Sequence, residues 1–163
     1  MMRVQNITAE MREEIGQFMQ ENWGSTVMVS RGHIHQLDRL PGFLAVENNE
    51  IIGIITYYII DKNCEIVSLD SFKEKRGIGT QLVECVIDAA KKQFCEKIWL
   101  ITTNDNVNAM RFYQKRGFTM TNLYIDAVQE ARKLKREIPI IGYERIPILH
   151  EIEFEKKLCQ IKS

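Results

Sequence analysis

An amphipathic helix lies between two strand-length apolar runs, and this order constrains the fold more than any other feature of the chain. The first run covers residues 64–69, the helix covers 78–94, and the second run covers 98–102. Within the helix, apolar residues recur at the 3.6-residue period that marks one buried face. A strand–helix–strand unit of this kind is typical of α/β proteins.

Other segments extend this unit on both sides. Strands are predicted at 3–7, 43–47, 51–60 and 118–124, and around Ile152 and Phe154 near the end of the chain. Helices are predicted after Thr8, which is a suitable N-cap residue, and at 107–116 and 126–136. We interpret 22–40 as an irregular segment with at most one short helix. The whole order predicts an α/β fold with a mixed sheet.

The composition is that of a globular protein. No repeat or Pro/Ser-rich linker divides the 163 residues, so we expect a single domain over 1–163. The most apolar run, 51–60, is too short to cross a bilayer, and no apolar segment of signal-peptide length begins the chain. These features favour a cytoplasmic protein with no membrane partner. The four cysteines and three histidines show no zinc spacing, so no metal is expected.

The charges are balanced overall but segregated along the chain. The formal net charge is zero, which argues against a general nucleic-acid binder. Residues 1–70 carry a net charge of −5, residues 71–136 carry +6 and residues 137–163 carry −1. The basic middle of the chain therefore indicates one region that favours anions.

A basic, glycine-containing loop precedes the long helix. Residues 73–80 read KEKRGIGT, and this loop lies between the predicted strand at 64–69 and the helix. Unpaired N–H groups and the positive end of the helix dipole meet at such a helix N-terminus. Gly77 and Gly79 let an anion approach the backbone, so the loop predicts phosphate or pyrophosphate binding. The spacing is not that of a Walker loop, and Leu82 occupies the place of the third glycine of a Rossmann fingerprint.

A second motif follows the next strand. Residues 106–118 read NVNAMRFYQKRGF. The first motif, RGIGTQLVECVIDAA at 76–90, contains the end of the basic loop and most of the helix, and one predicted strand separates this helix from the second motif. Together these motifs resemble the GNAT family of N-acetyltransferases, in particular small bacterial members with no assigned substrate. The resemblance covers 43–124 by sequence and the two ends of the chain by element order.

The resemblance implies a fold and a co-substrate. The fold is a mixed, mostly antiparallel twisted sheet flanked by helices, with splayed central strands that bind acetyl-CoA. Lys75 and Arg76 would add positive charge to the pyrophosphate loop, whereas Glu74 departs from the family's Gln or Arg. The residues that the resemblance assigns to acetyl-CoA are Leu69, Ser71, Lys75, Arg76, Gly77, Ile78, Gly79, Thr80, Asn106, Ala109 and Tyr113. Backbone groups of Leu69 and Ser71 would contact pantetheine, and an N–H group there would polarise the thioester carbonyl.

The resemblance also implies two catalytic residues. Tyr113 would protonate the thiolate of coenzyme A as a general acid. Glu65 is the preferred general base, on the premise that its side chain points the same way as those of Val67 and Leu69. Asp70, Tyr57 and a water chain are the alternatives. Asn106 would cap its helix, bond pantetheine, or do both.

The acceptor is less constrained than the donor. In this family the acceptor site would be built from 22–40 and 126–147, and the acceptor would be an amine of a small molecule or peptide. Candidate pocket residues are Trp23, His33, His35, Tyr57, Tyr124 and Tyr143, although the two histidines are more easily explained as exposed loop residues. The alternatives are an acyl-CoA-binding regulatory module without catalysis and a nucleotide-binding α/β domain. The protein is expected to be a monomer or a homodimer.

Overall fold

The computed structural model describes residues 1–72 and 77–158. Their strands are β1 (Arg3–Asn6), β2 (Val27–Ser30), β3 (His33–Gln36), β4 (Gly42–Glu47), β5 (Glu50–Ile60), β6 (Asn63–Ser71), β7 (Lys97–Thr103), β8 (Thr119–Tyr124) and β9 (Glu151–Lys157). Their α-helices are α1 (Arg12–Trp23), α2 (Ile78–Lys92), α3 (Val107–Lys115) and α4 (Ala127–Leu134). No helix of these two segments is long and apolar enough to span a membrane.

Seven strands form one mixed sheet in the order β1-β4-β5-β6-β7-β9-β8. The β6–β7 pair, which α2 connects, is parallel, and the other neighbouring pairs are antiparallel. The predicted α/β fold with a mixed, mostly antiparallel sheet flanked by helices is therefore confirmed. A long crossover is what a parallel pair requires, and the amphipathic α2 supplies it.

Helices cover both faces of the sheet. On one face, α2 and α3 bury Leu82, Val86 and Tyr113 against strand residues such as Ile55. On the other face, α1 buries Ile15 and Met19 against a second group of strand residues. Two core layers enclose the sheet, so its central strands are buried on both sides.

Some predicted boundaries are wrong at the helix ends. The side chain of Thr8 makes no cap hydrogen bond, and a 3-10 turn at Ala9–Met11 precedes α1, which begins at Arg12. The helix that follows the basic loop, α2, ends at Lys92 and not at Phe94. Phe94 has a φ of 58° and is 73% exposed. It therefore does not belong to the buried face, because its backbone has already left the helix.

The interpretation of 22–40 as irregular is also wrong. Strands β2 and β3 pair there as an antiparallel hairpin, from Val27↔Gln36 to Ser30↔His33. Arg31 and Gly32 form its two-residue turn with φ of 47° and 75°, as tight hairpin turns require. The strands have four residues each and include polar side chains, which is too short a pattern for alternation to be recognised.

The central parallel strands separate part-way along their length. Strands β6 and β7 pair from Asn63↔Lys97 to Ile66↔Leu100, and the pairing stops there. On its other side, β6 stays paired with β5 as far as Ser71. The splayed central strands that the resemblance implied are present, and they open a gap inside the sheet.

Candidate active site

The gap between β6 and β7 holds a cavity of about 280 Å³, which we call the strand cavity. It is lined by Val67–Leu69 of β6, Ile101–Thr103 of β7, and the beginning of α3. Strand β2 and Glu151 of β9 close its far side. Since the two strands no longer pair with each other here, the gap is a place where an extended ligand can lie beside the backbone.

A second cavity, of about 430 Å³, lies at the N-terminal ends of α2 and α3. We call it the helix cavity; residues 77–80, Phe112 and Arg116 are among those that line it. The two cavities share Leu69, Asp70, Asn106, Ala109 and Tyr113. They therefore form one continuous groove from the start of α2 into the middle of the sheet.

The N-terminus of α2 faces the helix cavity. Gly77 is its N-cap with a φ of 71°, a conformation that other residues adopt only with strain. The first helical hydrogen bond runs from the N–H of Gln81 to the carbonyl of Gly77. The N–H groups of 78–80 precede that bond, so they have no partner within the helix and are suited to an anion. Lys75 and Arg76, which were also predicted here, lie outside the described residues, as does Glu74.

Arg116 adds a positive charge to the helix cavity that the sequence interpretation missed. Its Nε donates to the hydroxyl of Thr80 at 2.9 Å, and one of its terminal nitrogens donates to the carbonyl of Phe112 at 2.7 Å. The guanidinium also lies 3.6 Å above the ring centre of Phe112. It is thus held in place between α2 and α3, beside the predicted phosphate loop. The sequence shows that Arg116 belongs to the second motif, but it does not show that the side chain points towards α2.

Asn106 caps α3 as predicted. Its side-chain oxygen accepts from the N–H of Ala109 at 3.1 Å. Because both residues also line both cavities, this cap holds the start of α3 against the groove. Whether Asn106 also bonds pantetheine stays a prediction.

Tyr113 lies where the two cavities meet. Its ring is buried against Phe112, Phe118 and Phe154, at centroid distances of 5.0, 5.3 and 6.5 Å. Burial raises the pKa of its hydroxyl, the negative charge of Asp70 raises it further, and Arg116 opposes both effects. The phenol therefore stays protonated at neutral pH, as a proton donor must.

Glu65 lies at the opposite end of the strand cavity, 5% exposed. The premise that its side chain shares a direction with Leu69 is wrong. Tyr57 pairs with Ile66 and Thr56 pairs with Ser68, so β6 carries a bulge at Val67. Because a bulge changes the alternation of side chains, Leu69 packs towards α2 and α3. Val67, by contrast, packs with the core under α1.

The two rival bases differ in position. Asp70 lines both cavities, and burial raises its pKa to about 6. Tyr57 packs in the core beside Phe43 and lines neither cavity. The structure therefore places Glu65 and Asp70 at the groove and removes Tyr57 from it.

The far side of the strand cavity contains two residues that the sequence did not indicate. Ser30 of β2 is buried, and its hydroxyl has no hydrogen-bond partner in the described part of the chain. Glu151 of β9 is 4% exposed and lies 3.3 Å from a terminal nitrogen of Arg31, which stacks on Tyr124. Pairing of Thr103 with Glu151 brings this carboxylate to the gap. Strand register is a tertiary property, so no local signal could have found Glu151.

Most of the aromatic residues predicted for an acceptor pocket do not line the groove. Trp23, His33, His35, Tyr57 and Tyr124 line neither cavity, and Tyr143 lines the helix cavity. His33 is exposed as expected, but His35 is buried against Glu65, so its interpretation as an exposed loop histidine is wrong. The hairpin at 27–36, absent from the sequence interpretation, is what buries it.

Among the described residues, no group of three or more His, Cys, Asp or Glu side chains could hold a metal ion. Cys64, Cys85 and Cys95 are free thiols, and Cys159 lies outside the described residues. Burial raises the pKa of Cys64 to about 12, so its thiol is a poor nucleophile.

Comparison with known proteins agrees with this architecture. The family model of the acetyltransferase (GNAT) family matches residues 8–118. An uncharacterized Bacillus subtilis (strain 168) protein, YdhI, is 50% identical over 140 residues, which are 85% of this chain and 88% of that protein.

Two solved structures share the fold over nearly their whole length. A GNAT family acetyltransferase from Elizabethkingia anophelis with acetyl-CoA bound has a TM-score of 0.69 at 23% identity, covering 96% of this chain and 98% of that one. A Bacillus subtilis acetyltransferase in complex with CoA has a TM-score of 0.68 at 19% identity, covering 98% and 100%. With the family model spanning both motifs and the splayed strands, the chain belongs to the GNAT family of acetyltransferases.

Proposed function

We propose that this protein is an acetyl-CoA-dependent N-acetyltransferase that transfers the acetyl group directly to a primary amine of a small molecule or peptide. The observation that carries the proposal is the continuous groove, which begins at the N-terminus of α2, passes Tyr113 and ends at Glu65. It offers anion-binding N–H groups, a proton donor and a carboxylate base in the order that such a transfer needs. The related structures hold CoA or acetyl-CoA, which supports the donor.

The residues of the groove fit the parts of acetyl-CoA, which would supply the activated thioester. The N–H groups of Gly77, Ile78, Gly79 and Thr80, with Arg116 beside them, would hold the pyrophosphate. Gly79 packs closely on Phe112, since a Cβ atom there would lie 3.2 Å from the ring. Lys75 and Arg76 would add charge. Backbone groups of Leu69 and Ser71 would bind the pantetheine arm in the gap left by β7.

Proton transfer divides between the two ends of the strand cavity. Glu65 would accept a proton from the acceptor ammonium, so that the neutral amine can attack the thioester carbonyl. Backbone N–H groups of β6 would stabilise the oxyanion, and Tyr113 would donate its proton to the departing thiolate. Asp70, between the two, is the alternative base because it also lines the cavity.

The charge of the strand cavity favours a cationic acceptor. Three carboxylates, those of Glu65, Asp70 and Glu151, line it. No Lys or Arg occurs among the described residues that line it, although Arg31 compensates Glu151 from outside. An amino acid would bring its own carboxylate against this charge, so we expect simple amines to be better acceptors than amino acids. The enzyme would be a single domain over 1–163 and would act in the cytoplasm.

Two measurements test the function. Titration calorimetry with acetyl-CoA measures donor binding, and thiol release over a panel of amines and amino acids measures transfer. We expect binding, and release that depends on the added amine. Tight binding without release from any amine would favour the regulatory acyl-CoA-binding module, and binding of ATP or NAD instead of acetyl-CoA would favour the nucleotide-binding domain. Release that is insensitive to added amine would contradict N-acetylation.

A further inference from the structure

The β2–β3 hairpin places a buried histidine beside Glu65. The Nε2 atom of His35 lies 3.3 Å from Oε1 of Glu65, and only 2% and 6% of the two side chains are exposed. The two atoms are within ion-pair distance but are not aligned as a hydrogen bond, and Nε2 has no hydrogen-bond partner among the described residues. A nitrogen that can carry a proton is therefore held within reach of the carboxylate that lines the strand cavity.

A cluster of rings connects this histidine to the surface. The ring centre of His33, two residues earlier on β3, lies 4.3 Å from that of His35, and His33 is exposed. Tyr58 of β5 contacts both rings, at 5.6 Å from His33 and 5.5 Å from His35. The titratable groups around His35 are therefore His33 from its own strand, Tyr58 from β5 and Glu65 from β6. His35 therefore contacts the buried carboxylate of Glu65 on one side and the exposed His33 on the other.

The proposed reaction produces a proton that has to leave the protein. An alkylammonium acceptor gives up two protons when it becomes an amide, and the thiolate of coenzyme A takes one of them. The other is released to solvent. Glu65 is 5% exposed and lines the strand cavity, which the bound substrates fill during the reaction, so a proton that it accepts then has no open path to bulk water. Turnover thus needs a route by which Glu65 is deprotonated again.

We propose that His35 is this route, and that it relays the proton from Glu65 to solvent beside His33. The O–H bond of protonated Glu65 breaks as an N–H bond forms at Nε2 of His35. The imidazolium then gives up a proton to His33, which passes it to the surrounding water, and His35 is neutral again. His35 touches neither acceptor nor donor and acts through Glu65. The inference rests on the proposed function, in which Glu65 is the base.

The test compares two acceptors that differ in their protonation at neutral pH. Phenethylamine is an ammonium ion and must release a proton to solvent, whereas aniline is already neutral, so its transferred proton can end on the thiol. We expect His35→Gln to lower kcat with phenethylamine by about tenfold or more and to change kcat with aniline by less than about twofold. His150→Gln, a histidine outside the ring cluster, is the matched control and should affect neither reaction.

The split between the amines separates a relay from a structural role. Equal fractional losses with both amines, or no loss with phenethylamine, would overturn the relay while leaving the acetyltransferase function intact. If His35→Gln does not fold, His33→Gln is informative because the side chain is exposed; a loss confined to phenethylamine supports the relay, and any other pattern overturns it. A wild-type protein that releases no thiol with these two amines or with any other amine of the panel would overturn the proposed function and the relay with it.

Discussion

At the scale of single residues, a phenol and two carboxylates line the groove, and each has different surroundings. Tyr113 is enclosed by aromatic rings that keep its hydroxyl protonated. Glu65 is enclosed by the hairpin and His35. Asp70 lies between the cavities, where burial alone raises its pKa. These environments predict distinct effects of replacing each side chain.

Tyr113→Phe should lower turnover without affecting donor binding. The substitution removes the proton donor but keeps the ring that packs on Phe112, Phe118 and Phe154. We expect kcat for thiol release to fall by about 10²–10⁴-fold, with the dissociation constant for acetyl-CoA from calorimetry unchanged. Full turnover by this variant at every pH would show that Tyr113 is not the acid.

Asp70→Asn should change how stability depends on pH. Burial raises the pKa of Asp70 from 3.8 to about 6, so between these values the unfolded chain binds fewer protons at this carboxyl than the folded chain. The free energy of unfolding therefore falls as pH rises through that window and stays lower above it. The neutral amide has no such dependence, so we expect the free energy of unfolding of Asp70→Asn, relative to wild type, to rise by on the order of 2 kcal/mol from pH 4 to pH 7. Urea unfolding at several pH values measures it, and a difference that does not vary with pH would contradict it.

At the scale of elements, the site depends on how α2 and α3 meet. Gly79 of α2 faces the Phe112 ring of α3. The guanidinium of Arg116 is stacked on the same ring and donates a hydrogen bond to Thr80 of α2. The basic side chain and the helix N-terminus are thereby held on one side of the helix cavity. The close approach explains why the loop needs a small residue at 79 as well as a flexible one at 77.

Gly79→Ala should weaken acetyl-CoA binding through this contact. The added Cβ would lie 3.2 Å from two ring atoms of Phe112, so the ring and the guanidinium above it have to shift. We expect the dissociation constant for acetyl-CoA to rise by about 3- to 10-fold, which corresponds to about 1 kcal/mol. Gln81→Ala, an exposed position in the same turn, is the control and should bind normally. An unchanged dissociation constant in Gly79→Ala would show that this contact does not position the phosphate site.

At the scale of the whole molecule, the ligand groove coincides with the place where the sheet is interrupted. The β6–β7 pairing ends at Ile66↔Leu100, so one side of the gap is made by residues 67–71 and the other by residues 101–103. A donor bound there would join two halves of the sheet. Its binding should therefore stabilise the folded state as a whole.

Acetyl-CoA should raise the melting temperature of the protein. At a free concentration of about 100 times its dissociation constant, a ligand that binds only the folded state adds about 2.7 kcal/mol. For a chain of this size we expect Tm to rise by roughly 5–10 °C. Thermal denaturation with and without acetyl-CoA measures the shift, and pantetheine, which lacks the phosphates held at α2, is the control that should shift Tm less. No shift with acetyl-CoA would contradict binding in the groove.

Local sequence determined the parts of the protein whose signals are local. The period of α2, the glycines at 77 and 79, and the cap at Asn106 are each short-range patterns, and together they predicted the mixed α/β fold and the start of the groove. Tertiary structure alone decided the part of the strand cavity around Glu65. A bulge at Val67 turned Leu69 away from the direction expected for it, strand register brought Glu151 to the gap, and a short hairpin buried His35 against Glu65. These contacts join residues distant in sequence, and their positions depend on pairing and packing that no single segment encodes.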